Sequence, residues 1–207
     1  FYGEDVAPIF EIILPMATSS QSLNRVYHLY RRFVVGKQRE PFYEGDITIA
    51  EWIGPFKPAE INVIPLFEDR EHILGAHQIV REYLEDKKAE YQRVFLARSD
   101  PALNYGAAAA VLLNKIALQR LHGLGEELSV EILPIIGVGS APFRGNLKPT
   151  NPENCLLGYP SVQTFTLQSA FKYDYPLKEV QDAVGKISGS KRRPPLPMEE
   201  GRCIKLI

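Results

Sequence analysis

Cysteine is nearly absent: Cys155 and Cys203 have neither CxxC spacing nor a paired histidine. Two are too few for a disulfide framework and wrongly spaced for structural zinc, so a reducing cytoplasm is the expected setting. Net charge is nearly absent as well, because 24 Lys and Arg stand against 25 Asp and Glu, a formal net of -1. No overall field then draws nucleic acid or an acidic membrane, and neither is expected as a partner. Long apolar runs are missing. An uncharged apolar one such as Ile132 to Phe143 contains Pro and Gly and falls short of the roughly 18 to 20 residues that cross a bilayer. An initiating Met is missing too: the chain starts at Phe1 without a basic-then-apolar leader, and is expected to begin mid-protein with part of any active site elsewhere. No strand is followed by GxGxxG or GxxxxGK[ST], which argues against open-sheet nucleotide binders, and no GxSxG elbow marks a nucleophile.

What is present is enough for a core, with 45% hydrophobic residues in a chain of 207. Short apolar runs alternate with amphipathic stretches, as when a parallel sheet is covered by its own crossover helices. Strands are expected at Ile9 to Met16, Asn62 to Phe67, Arg93 to Ala97, Val130 to Ile136 and, more briefly, Thr164 to Gln168. A helix through Leu23, Val26, Tyr27, Tyr30 and Phe33 follows the first strand. Others run from Arg70 to Lys87, from Pro101 to about Leu121 where Gly123 and Gly125 stop it, and from Leu177 to Ile187. Residues 41–60, rich in Pro, Gly and aromatics, read as an inserted loop or weak hairpin, and 141–160 as a loop. This α/β pattern, with polar residues gathered after the strands, predicts part of a (β/α)8 TIM-type barrel over 1–187, followed by a basic, Pro-rich linker or loop at 188–207. A doubly wound open sheet is the alternative.

In a barrel, side chains just past the strands share one rim. Glu68 and Asp100 occupy equivalent positions there and could hold Mg2+ or Mn2+, leaving the rest of the shell for water and an oxygen-rich substrate. Each has a plainer reading: Ser99-Asp100-Pro101 looks like a helix N-cap with Pro at N1, and Glu68 falls in a first helical turn, where a carboxylate suits the dipole. The segment Gly137 to Asn146 can turn tightly and present N–H groups, with Gly137, Gly139, Ser140 and Arg144 as candidate anion binders, or it is only a connection. Arg98 could hold a further anionic group or pair with Glu68 or Asp100. Thr18, Ser19, Thr166 and Gln168 could hydrogen-bond substrate, though capping and ladder roles fit each. The four histidines lie in or at the ends of helices and suggest no catalytic group.

Five stretches, FEIILPMATS, NVIPLFEDREH, FLARSDPALNYG, GVGSAPFRGNL and TFTLQSAFKYDYP, together resemble the archaeal-type phosphoenolpyruvate carboxylases over most of residues 9 to 176. The resemblance implies carboxylation of phosphoenolpyruvate by bicarbonate to oxaloacetate and phosphate, dependence on Mg2+ or Mn2+, and a cytoplasmic homotetramer. It implies that Glu68, in Pro65-Leu66-Phe67-Glu68, and Asp100 are the metal ligands, and that Arg144 matches the second arginine of the glycine loop of the larger carboxylases. Two departures stand out. Val138 replaces the first loop arginine and Leu103 a lysine, for which Arg98 would compensate. The catalytic histidine segment and the arginine cluster found near the ends of the family's chains are not among these residues. Two other readings remain open: a metal-dependent barrel lyase of another kind acting on phosphoenolpyruvate or pyruvate, and a non-catalytic barrel fragment.

Overall fold

A computed structural model describes residue 7, residues 9–138 and residues 147–207. The class is α/β. Five parallel strands, β1 (Glu11–Leu14), β2 (Asn62–Phe67), β3 (Tyr91–Leu96), β4 (Glu131–Ile136) and β5 (Thr164–Phe165), lie in one sheet in the order of the chain. A doubly wound sheet reverses its strand order at a switch point, and these five strands do not. Right-handed crossovers between successive neighbours instead bring the connecting helices to a single face.

The strands follow from short β-branched and aromatic runs, the helices from their caps and apolar stripes. Ser19 caps α1 (Ser20–Leu29) by accepting from the Ser22 N–H at 3.3 Å. Beyond Leu29 the expected helix widens into a π turn (Tyr30–Val35) and tightens into a 3-10 turn (Gly36–Arg39). In the 41–60 stretch an isolated antiparallel bridge joins Pro41 to Thr48, and Thr48 with Glu51 forms a capping box on α2 (Ile49–Ile53). Asp69 caps α3 (Arg70–Leu84).

The Pro101-to-Leu121 helix is two helices. α4 (Ser99–Tyr105) ends at Gly106, whose φ of +89 turns the chain into α5 (Ala107–Leu128). Gly123 and Gly125 do not stop α5, which runs on to Leu128 and ends with Ser129 at φ +54. Gly125 is instead needed for packing: a Cβ there would lie 2.9 Å from the Val130 carbonyl oxygen. Within the expected 141–160 loop, Pro152 at the first turn starts α6 (Pro152–Gly158). A π turn at Ala170–Asp174 leads to α7 (Leu177–Gly189), and α8 (Glu200–Ile204) is held to α5 by Glu200 and Arg120 at 2.7 Å. Between α7 and α8, Arg192 donates to the Ile132 carbonyl at 2.7 Å and pairs with Glu131.

The two sheet faces differ. Val63, Phe67, Val94, Leu96, Ile132 and Ile136 point to the helices and form one core with Ile73 and Val80 of α3 and Leu113 and Leu121 of α5. The alternate residues of β3, Tyr91, Arg93 and Phe95, are only half-buried on the other face. There Arg93 bridges Glu11 of β1 at 3.0 Å and Thr164 of β5 at 3.1 Å, and Asn62 donates to the Tyr91 hydroxyl at 3.0 Å. A polar layer thus ties strands 1, 3 and 5 across the face turned away from the helices.

Candidate functional site

The sheet register puts the chemistry-bearing residues at one edge. Phe67, Leu96, Ile136 and Phe165 end their strands side by side. The pairing continues one step further, with the Ala97 N–H on the Phe67 carbonyl, the Gly137 N–H on Leu96 and the Thr166 N–H on Ile136. Glu68, Arg98, Gly137 and Gln168 therefore stand within two or three residues of four neighbouring strand ends, on strands spaced about 4.8 Å apart.

Glu68 is half-buried and lies outside α3. Asp69 takes the cap instead, accepting from the His72 N–H at 3.0 Å and touching His72 Nδ1 at 2.5 Å. The first-turn reading of Glu68 is corrected accordingly, and its carboxylate is left to other work. Glu68 Oε2 accepts from the Met16 N–H at 2.7 Å, so the carboxylate is oriented from β1 through one oxygen.

Asp100 is exposed and is the second residue of α4, with Arg98 at the N-cap and no side-chain cap bond. The N-cap reading fails because the helix starts before Asp100 and carries Pro101 at its third residue. Its carboxylate makes no hydrogen bond or ion pair with another described residue. The two acids leave β2 and β3, which are adjacent; among the described residues no cluster of three or more His, Cys, Asp or Glu is placed to hold a metal. Two carboxylates without cationic partners among the described residues nevertheless fit an ion such as Mg2+, which keeps several waters and takes only one or two protein carboxylates.

Arg98 is the unusual member. It is 8% exposed, its Nε is buried without a hydrogen-bond partner, and it pairs with neither Glu68 nor Asp100. Its guanidinium carbon lies 5.8 Å from the centre of the Tyr159 ring. Burial pushes the Tyr159 hydroxyl up to about 12, with the Arg98 charge pulling the other way, so the phenol stays neutral. Tyr159 was not legible as a site residue, since it sits in a Gly-Tyr-Pro turn far from Arg98 in the chain.

The backbone of Gly137 lies close to Arg98, whose backbone N would be 3.7 Å from a Cβ placed on that glycine. Val138 is 1% exposed and belongs to the core, so this position offers the rim no charge, while Leu103 is exposed. Gln168 is exposed past β5 and accepts through its carbonyl from the Phe171 N–H at 3.0 Å. Ser19 caps and Thr166 continues the ladder, the plainer of their two readings. Gly139, Ser140 and Arg144 lie outside the described residues.

Acidic, cationic and glycine groups thus gather at the carboxyl ends of parallel strands, the end at which α/β folds place their ligands. Comparison with known proteins sharpens this. A family model described as phosphoenolpyruvate carboxylase matches residues 1–207. A phosphoenolpyruvate carboxylase of Pyrococcus abyssi is 55% identical over 199 residues, 96% of this chain and 42% of that protein. Those of Methanospirillum hungatei and Halobacterium salinarum are 52% and 51% identical over the whole of this chain, which covers 43% and 42% of their lengths. The chain belongs to the phosphoenolpyruvate carboxylase family. It spans about two-fifths of the length of these relatives. Among the described residues no helix is long and apolar enough to cross a membrane.

Proposed function

We propose that this chain is the metal- and anion-holding portion of a protein that carboxylates phosphoenolpyruvate with bicarbonate, giving oxaloacetate and phosphate. The observation that carries the reading is Arg98, a buried guanidinium that has no anionic partner among the described residues, at a rim where Glu68 and Asp100 have no cationic one among them either. A rim that keeps its charges of opposite sign unpaired is suited to a substrate that brings both a metal and an anion. The five sequential parallel strands, helix-covered on one face, support a (β/α)8 barrel completed by the rest of the polypeptide. The larger assembly is proposed as a cytoplasmic homotetramer, on the family resemblance.

Glu68 and Asp100 would hold Mg2+ or Mn2+, which supplies positive charge where enolate charge develops. The residues of this chain do the rest. Met16 fixes the rotamer of Glu68, so that little reorganisation is needed when ligand arrives. Bicarbonate oxygen attacks phosphorus, the bond between phosphorus and the enol oxygen breaks, and carboxyphosphate and the enolate of pyruvate result. Carboxyphosphate gives up CO2 and phosphate, and the enolate carbon attacks the CO2. Arg98 and, from the glycine segment, Arg144 would hold the phosphate and carboxylate charges with their planar N–H forks, while Gly139 and Ser140 bind through N–H groups and Gln168 through its side-chain amide; the Gly137 N–H is taken by the Leu96 carbonyl, so Gly137 serves only by its close approach to Arg98. Keeping water out protects the enolate from protonation to pyruvate.

A coupled assay of the full-length protein tests the activity. Oxaloacetate should form only when phosphoenolpyruvate and bicarbonate are both present, and product without bicarbonate would overturn the proposal.

A further inference from the structure

Arg98 raises a question that the reaction leaves open: what holds a buried guanidinium in place when no carboxylate of the described residues does? Charge taken out of water is costly unless something compensates it, and a long arginine side chain has many rotamers. Neither Glu68 nor Asp100 reaches it, and its Nε has no hydrogen-bond partner. What lies against it is an aromatic face. Tyr159, 5% exposed at the carboxyl end of α6, sets its ring 5.8 Å from the guanidinium carbon.

The backbone fixes the ring. The Tyr159 N–H donates to the Cys155 carbonyl at 3.0 Å, and its own carbonyl accepts from the Val162 N–H at 3.2 Å. Its hydroxyl is buried without a partner, so the phenol contributes no hydrogen bond that would explain its presence. The ring face, negative by its quadrupole, is the part that meets charge, and such contacts strengthen when water is excluded.

We propose that Tyr159 is a positioning residue that seats the Arg98 guanidinium against its ring, so that the unpaired N–H groups are presented to an anionic group of the substrate. The inference rests on the anion-holding role proposed above for Arg98. It makes the ring, not the hydroxyl, the working part. A planar guanidinium lying on a ring keeps its N–H groups directed outward in its own plane, which is the geometry a carboxylate or phosphate needs for two parallel hydrogen bonds.

The test uses the full-length enzyme and the KM values for phosphoenolpyruvate and bicarbonate. Tyr159→Leu should raise the KM of the substrate that Arg98 holds by about tenfold, with much less change in kcat. Tyr159→Phe, which keeps the ring, should restore it, with a Tm equal to or above that of the parent because a buried unpaired hydroxyl is gone. In an Arg98→Ala background, Tyr159→Leu should add nothing to KM. Tyr159→Met, of similar volume without the π face, replaces the Leu variant if that does not fold. The outcomes separate cleanly. If Arg98→Ala leaves both KM values unchanged, the anion-holding reading falls and this inference with it. If Arg98→Ala raises KM while Tyr159→Leu and Tyr159→Met do not, only the role of Tyr159 is overturned. An equal effect of Tyr159→Leu with and without Arg98 would make the residue purely structural and also overturn it.

Discussion

The N–H of Met16 donates to Glu68 Oε2 at 2.7 Å, and Met16 itself sits at φ +50. A left-handed backbone is unfavourable for a residue with a Cβ, by about 1 kcal/mol or more. The turn between β1 and α1 thus stores strain where it aims a donor at the candidate metal ligand. Met16→Gly should relieve it: thermal unfolding should show an equal or higher Tm, and a fall of several degrees would contradict the account.

Substitution of the strand-end acids separates site from scaffold. In the full-length protein, Glu68→Gln and Asp100→Asn should each cut oxaloacetate formation by about 10²-fold or more while leaving far-UV circular dichroism unchanged. Arg144→Ala should lose a similar factor if its guanidinium meets developing charge. Parental rates in either acid variant would remove that residue from the proposed site.

Asp69 stands next to Glu68 but serves the helix. Burial raises its pKa, and the His72 N–H and ring outweigh that, holding the carboxyl below its usual range. A depressed folded pKa stabilises the protein above the unfolded value of about 3.9, and that contribution is lost as pH falls through the folded one. Asp69→Ala should cost about 1 kcal/mol at about pH 5, read by denaturant unfolding, and visibly less at about pH 3. A cost that grows as pH falls would contradict the cap assignment.

Two glycines of one helix should behave in opposite ways. Gly123 has open space around its missing Cβ, so Gly123→Ala should stabilise by roughly 0.5–1 kcal/mol. At Gly125 a Cβ would meet the Val130 carbonyl at 2.9 Å and Ile132 Cγ1 at 3.2 Å, so Gly125→Ala should destabilise by roughly 1–3 kcal/mol. Equal effects of the two changes on unfolding would refute this packing argument.

Much of the framework was legible because strand and helix periods are local. Asn62 to Phe67 reads as a strand from its apolar run, and that is where β2 lies. Where a residue answered to a distant neighbour, local reading failed. Gly125 looks like a stop signal, but it is a contact with the start of β4. Asp100 looks like a cap, yet the register of β3 starts α4 before it. The seating of Arg98 on Tyr159 and the tether from Met16 to Glu68 depend on tertiary placement, one through a ring and the other through a backbone N–H that no side-chain motif announces.

Binding of Mn2+ to the full-length protein, followed by electron paramagnetic resonance of the free ion, asks most directly whether Glu68 and Asp100 share a metal. The account predicts one strongly bound Mn2+ per chain in the parent, and affinity lower by about tenfold or more in both Glu68→Gln and Asp100→Asn. Undiminished Mn2+ binding in either variant would contradict it.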